Sequence, residues 1–147
     1  MFTALSAMGL ACILCGTVLR GYAAALRSGT YEALIREAEM STDEGQAVAR
    51  YEDAVKTNPS DVNAYSALLN DIYLSDGVFS REEAEAMTRL LGYKGSRDAH
   101  TIEERLRGNK DAYGRFCYEM GLAYFYFYEE SGNKQLSRPW LREAKTS

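Results

Sequence analysis

Histidine and proline are nearly absent from this chain, and each scarcity excludes something. The single histidine, His100, lies in a charged stretch without a companion cysteine or histidine, so a histidine-based metal centre has no ligand set. With only two prolines, Pro59 and Pro139, and few β-branched runs, the chain reads as helical throughout. Three cysteines make no disulfide framework. Cys12 and Cys15 have the spacing of a redox or metal pair, but Ala11, Ile13, Leu14 and Gly16 supply neither a basic neighbour nor a second ligand pair. They read as small packing residues, and Cys117 as a core residue. A basic stripe is also missing: the net charge is −4, and the basic residues Lys94, Arg97, Arg105, Arg107, Lys110 and Arg115 are interleaved with Asp98, Glu103, Glu104 and Asp111. That alternation describes a solvated helix face, and no nucleic-acid partner is expected.

Catalytic constellations are lacking too. Glu82-Glu83, Glu103-Glu104 and Glu129-Glu130 are adjacent in sequence, so on a helix their side chains diverge and cannot act together on one bond. No strand-turn-helix context exists for a nucleophile elbow. The chain is therefore not expected to be an enzyme, and no cofactor, metal or small-molecule substrate is expected. What remains is ample for folding. At 147 residues and 46% hydrophobic content there is material for one domain with a real core, which excludes global disorder.

From Phe2 to Leu19 no charge interrupts the chain. Eighteen helical residues span roughly 27 Å, close to the ~30 Å hydrocarbon core, and Arg20 and Tyr22 follow as headgroup-level anchors. Residues 1–27 are thus expected to be an apolar anchor helix spanning the membrane through residues 2–19. The competing readings are a cleaved signal peptide, which lacks its positive start; a lipoprotein site, poorly matched by Gly9 three before Cys12; and a buried first helix. Arg20, Arg27 and Arg36 all follow the segment, which by the positive-inside rule places the rest of the chain in the cytoplasm if Met1 is the true start. The chain stops at Lys145-Thr146-Ser147 directly after a helix, which fits a fragment or a shortened gene model.

Beyond residue 27 a helical-repeat pattern appears. Tyr31-x2-Leu34 is followed by Ala47-x3-Tyr51-x2-Ala54-x4-Pro59. Residues three and four apart share a helix face, so the small residues let backbones approach while the aromatic fills the gap, and proline ends the run. This predicts a first helix over about Tyr31–Met40 and a second over about Glu44–Lys56, with Ser41-Thr42-Asp43 supplying N-cap oxygens. After the Asn58–Asp61 turn, Tyr65, Leu68, Leu69, Ile72 and Tyr73 form one apolar face. Ser75–Phe79 breaks that helix, Ser80-x2-Glu83 is a capping box, and Gly92 is the expected C-cap of the helix through Ala84, Met87, Leu90 and Leu91. A short helix is expected over about Asp98–Arg107. A third pair opens at Asp111 with Cys117-x2-Met120-Gly121-x2-Tyr124, and its second helix is expected after Ser137-Arg138, with Pro139 in the first turn.

These copies are similar to tetratricopeptide repeats, and the spacing is the one that family uses. The resemblance implies an all-α solenoid of about three hairpins, over about residues 28–59, 61–92 and 111–147, whose first helices line an inner groove for a protein or peptide partner. From the repeat register the groove candidates are Asn63, Asn70, Tyr113, Tyr126 and Tyr128. The last two belong to the aromatic run Tyr124–Tyr128, five rings that point all round a helix, so most pack in the core and the hydroxyl-bearing ones suit a groove. At a finer level, Asp76-Gly77-Val78-Phe79-Ser80-x-Glu82-Glu83, then Tyr118, Gly121, Ala123, Tyr124 and Tyr126, then Pro139-Trp140-Leu141, resemble the repeat region of membrane-bound serine/threonine protein kinases of Gram-positive anaerobes. In that family a cytoplasmic kinase precedes a membrane helix and an extracytoplasmic repeat domain. The resemblance implies a sensing or docking module outside the membrane, against the positive-inside count. The chain itself has no glycine-rich phosphate loop, His-Arg-Asp or Asp-Phe-Gly sequence, so no kinase residue is carried over. The alternative is a stand-alone repeat subunit of a membrane assembly or secretion complex.

Overall fold

The computed structural model describes residues 22–23, 25–130 and 133–147, and the expected membrane segment, with Cys12 and Cys15, lies outside them. Among the described residues no helix is long and apolar enough to cross a membrane. The architecture there is all-helical. Helix α1 covers residues 25–40, followed by α2 (Glu44–Thr57), α3 (Asn63–Ala67, widening into a π-helical turn over Leu68–Tyr73), α4 (Arg81–Gly92), α5 (Ile102–Arg107), α6 (Lys110–Leu122, widening into a π-helical turn over Ala123–Phe127) and α7 (Asn133–Thr146).

The local signals account for most helix ends. Asp43 is the N-cap of α2, its carboxylate accepting from the Gln46 amide at 2.8 Å. Ser80 and Glu83 close a full capping box on α4, and Thr101 and Glu104 close another on α5. The second box is why the short helix begins at Ile102 rather than Asp98. Helix α3 is started differently. Val62 occupies its N-cap and has no side-chain acceptor; Asp61 instead accepts from the Asn63 amide (2.9 Å) and the Tyr31 hydroxyl accepts from the Ala64 amide (3.2 Å). Two orphan helix donors are thereby satisfied, one of them by α1.

Two expected ends are corrected. Gly92 is the last residue of α4 rather than its cap: the chain leaves through extended Tyr93, whose amide donates to the Leu90 carbonyl, so no left-handed residue is needed. The glycine that does adopt the left-handed region is Gly77, at φ 81°, in the loop after α3. Pro139 also sits well inside α7 rather than in its first turn. The amide it lacks would have bonded the Gln135 carbonyl; Gln135 is exposed, so water can take that bond.

The core is threaded by aromatic rings. Tyr65 of α3 meets Phe116 of α6 at 5.2 Å between centroids, and Phe116 meets Trp140 of α7 edge-on at 5.8 Å. The Tyr65 hydroxyl donates to the Pro59 carbonyl at 2.9 Å, so the turn proline anchors the ring as well as ending α2. Helix α7 packs most extensively on α6. The approach is close because Gly121 faces it: a Cβ there would lie 2.5 Å from Leu141 Cδ2. The expected glycine contact between two helices is therefore present. Gly114, seven residues earlier, faces Ala144 and Ser147 at the other end of the same crossing.

A second junction ties the α3–α4 loop to the end of α6. The Phe79 amide donates to the Phe127 carbonyl (2.8 Å) and the Glu129 amide donates to the Phe79 carbonyl (3.2 Å), a one-residue parallel bridge between Phe79 and Tyr128. The Phe79 ring is fully buried against Tyr124 and Tyr128.

Candidate functional site

Side-chain bonds join α1 to α3 and α3 to α6. Tyr31 bonds α1 to α3, and the Ser66 hydroxyl donates to Glu119 Oε2 of α6 at 2.6 Å. Asn63, Ser66 and Ala67 are spaced i, i+3, i+4 on α3, ahead of the π-helical turn that carries Asn70, and Arg115, Tyr118 and Glu119 repeat that spacing on α6. The Ser66–Glu119 bond brings these two faces together at that point. Arg115 Nε pairs with the other Glu119 oxygen at 2.9 Å, so that carboxylate is held from both sides. Asn63, Asn70, Arg115 and Tyr118 are exposed.

The sequence-derived candidates divide accordingly. Asn63 and Asn70 sit on this surface, Asn63 also lining a cavity shared with Glu32 and Arg36 of α1. Tyr126 projects from the π-helical end of α6, 68% exposed. Tyr113 is buried and faces the other way. Its hydroxyl donates to Glu103 Oε1 at 3.4 Å, and the Arg107 guanidinium covers its ring at 4.7 Å. Burial, followed by its contact with Cys117, raises its phenol pKa. Tyr113 is thus a packing residue between α6 and α5 and offers nothing to a ligand in a groove. Tyr128 has left the helix altogether: its backbone is extended, and its half-buried ring leans on Phe79 and Tyr124. The five-ring run therefore does not continue as one helix to its end.

Tyr118, 54% exposed, is the surface aromatic that the repeat register passed over. A helical wheel finds it. Once Cys117, Met120 and Gly121 are assigned inward, position 118 falls outward, in line with Asp111, Arg115 and Leu122. Helices α3 and α6 also widen into π turns at their far ends, carrying Asn70 and Asp71 on α3 and Tyr126 on α6. Such turns recur at functional sites, because the widened ring displaces side chains from ordinary helical positions.

Several other chemistry-bearing side chains are accounted for by packing or by pairing. Cys117 is buried, and burial pushes its thiol up to about 11, so it is a neutral core group at physiological pH. Arg105 pairs with Asp98 at 3.5 Å, Arg107 with Glu103 at 2.9 Å and Arg115 with Glu119, so these arginines of the basic stretch are neutralised on their own faces. His100 is exposed and lies 3.6 Å from Glu104.

No protein-family model matches the chain, and neither the curated proteins nor the solved structures contain a match to it.

Proposed function

We propose that the described helices form a tetratricopeptide-like interaction module in which the outer surface of α3 and α6 binds an extended peptide or a helix of a protein partner. The observation that carries this reading is the Ser66–Glu119 bond joining α3 to α6, with Asn70 and Tyr118 exposed on those two helices. An exposed tyrosine flanked by amide and charged side chains suits a protein contact, because its ring supplies area at little entropic cost while its hydroxyl stays wet. The uncharged run from Phe2 to Leu19 supports a tether to the membrane, and the kinase-linked resemblance supports a docking or sensing role beside a receptor-type serine/threonine kinase.

The test is capture. The full chain, immobilised in detergent, is expected to retain a specific protein from membranes of its own cells. The double variant Asn70→Lys/Tyr118→Asp should lose about tenfold or more of that protein, whereas Glu85→Lys on the exposed side of α4 should not. Equal capture by both variants, with far-UV circular dichroism unchanged, would remove α3 and α6 as the binding surface.

A further inference from the structure

Near Asn70, a cavity of about 410 Å³ opens between the α1–α2 turn and the π-helical end of α3. Its lining is one-sided in charge. Glu39, Glu44 and Asp71 contribute carboxylates, and no lysine or arginine among the described residues lines it. Nor does any of the three carboxylates pair with a described basic side chain, although eleven ion pairs form elsewhere. Glu39 stands in the last turn of α1, where the carbonyl end of the helix already carries partial negative charge, so its carboxylate is unfavourable there without a cation.

A second observation points into the same space. Tyr51 is 2% exposed, yet its hydroxyl bonds to nothing among the described residues. No fully enclosed side-chain oxygen lacks a partner among the described residues, so this hydroxyl keeps some accessible surface, and Tyr51 lines the cavity. Burial, then Asp71, then Glu39, raises its phenol pKa, and both carboxylates line the same cavity. Apolar wall comes from Ala47 and Ile72.

A hydroxyl with no described protein partner, on a side chain that is itself almost wholly buried, beside carboxylates that have no described basic neighbour suits a ligand rich in donors and positive. A metal ion fits poorly, because no described group of three carboxylates converges on a point that could hold one. A guanidinium fits better: it is planar, always charged, and offers five donors spread over several ångströms at the end of an aliphatic stem. We propose that this cavity receives an arginine side chain of the partner peptide, its guanidinium lying between Glu39 and Asp71, its N–H groups donating also to the Tyr51 hydroxyl, and its stem resting on Ala47 and Ile72. This rests on the peptide-binding reading above, and the experiment separates the two.

The probe is Nα-acetyl-L-arginine amide, titrated into the isotopically labelled full chain in detergent micelles and followed by amide chemical shifts. Its neutral isostere, Nα-acetyl-L-citrulline amide, is the control. Saturable shifts centred on Glu39, Tyr51 and Asp71 are expected with arginine amide in the low-millimolar range, as befits so small a ligand, and not with citrulline amide. Asp71→Asn with Glu39→Gln should weaken binding by about tenfold or more, and raised salt should weaken it further. Tyr51→Phe, which keeps the ring and removes the hydroxyl, should weaken it by about threefold. The proposal is overturned if arginine amide gives no saturable shift up to about 20 mM, if citrulline amide binds equally, or if the carboxylate variant binds as the parent does. Partner capture by the parent chain that survives such a failure would leave the interaction reading standing without an arginine pocket.

Discussion

Replacing Phe79 with alanine is expected to lower the unfolding free energy by about 3–5 kcal/mol, the cost of emptying a fully enclosed aromatic site. Phe79 belongs to a loop, and loops are usually tolerant, which makes the size of the effect informative. Its ring has no exposed surface and contacts Tyr124 and Tyr128 at centroid separations of 5.3 and 6.2 Å. Its backbone is bonded on both sides to the segment after α6. Alanine keeps the backbone bonds and removes the ring, so the loop can still dock but leaves a void that two tyrosines cannot close. A domain of this size has only about 5–15 kcal/mol in hand, so the variant should be near the edge of folding. Urea denaturation followed by circular dichroism measures it, and Phe79→Leu, which refills most of the volume, should stay within about 1.5 kcal/mol of the parent. An alanine variant indistinguishable from the parent would mean that the loop is not part of the cooperative core.

Phe116→Ala should cost a similar ~3–5 kcal/mol, for a different structural reason. Phe116 is the middle ring of the Tyr65–Phe116–Trp140 series, so it couples α3 to α7 through α6. Each tilted or edge-on ring pair adds roughly 0.5–1.5 kcal/mol beyond area burial, and the substitution removes two. Trp140 is the only tryptophan, so its fluorescence reports on this junction without a label. The variant is expected to show red-shifted emission in the absence of denaturant and a loss of Trp140 signal before the helical signal on urea addition, as α7 loosens ahead of the rest. Coincident transitions at the parent's midpoint would contradict the assignment of Phe116 as the coupling ring.

Features with a short sequence range were legible. Ala47, Tyr51 and Ala54 share one face of one helix; Ser80 and Glu83 are one turn apart; Asp43 directly precedes α2. In each case the partner groups lie within one or two turns, so spacing alone specifies the contact. Gly121 was legible for a related reason: a glycine flanked by inward positions in a helix signals a close approach. What the spacing could not supply was set by partners far along the chain. Phe79 and Tyr128 are 49 positions apart, and their pairing takes Tyr128 out of the helix that its aromatic neighbours suggest. Tyr113, four residues before Cys117, falls inward on the same wheel that turns Tyr118 outward, but its partners Glu103 and Arg107 belong to α5, a helix whose placement nothing on α6 encodes. Thr101-x2-Glu104 was present in the sequence and would have placed the start of α5. Glu39, Tyr51 and Asp71 lie on three helices, and only the packed arrangement brings them to one cavity.

The most direct measurement of the interaction claim is site-specific photo-crosslinking from the full chain in its own membranes. A benzophenone side chain would be placed at positions 70 and 118 on the α3–α6 surface, and at 85 and 138 on exposed positions of α4 and α7. The account predicts a common crosslinked protein from 70 and 118 and none of it from 85 and 138. Crosslinks to one protein from 85 or 138, with 70 and 118 silent, would contradict it and move the interaction surface to the opposite side of the helices.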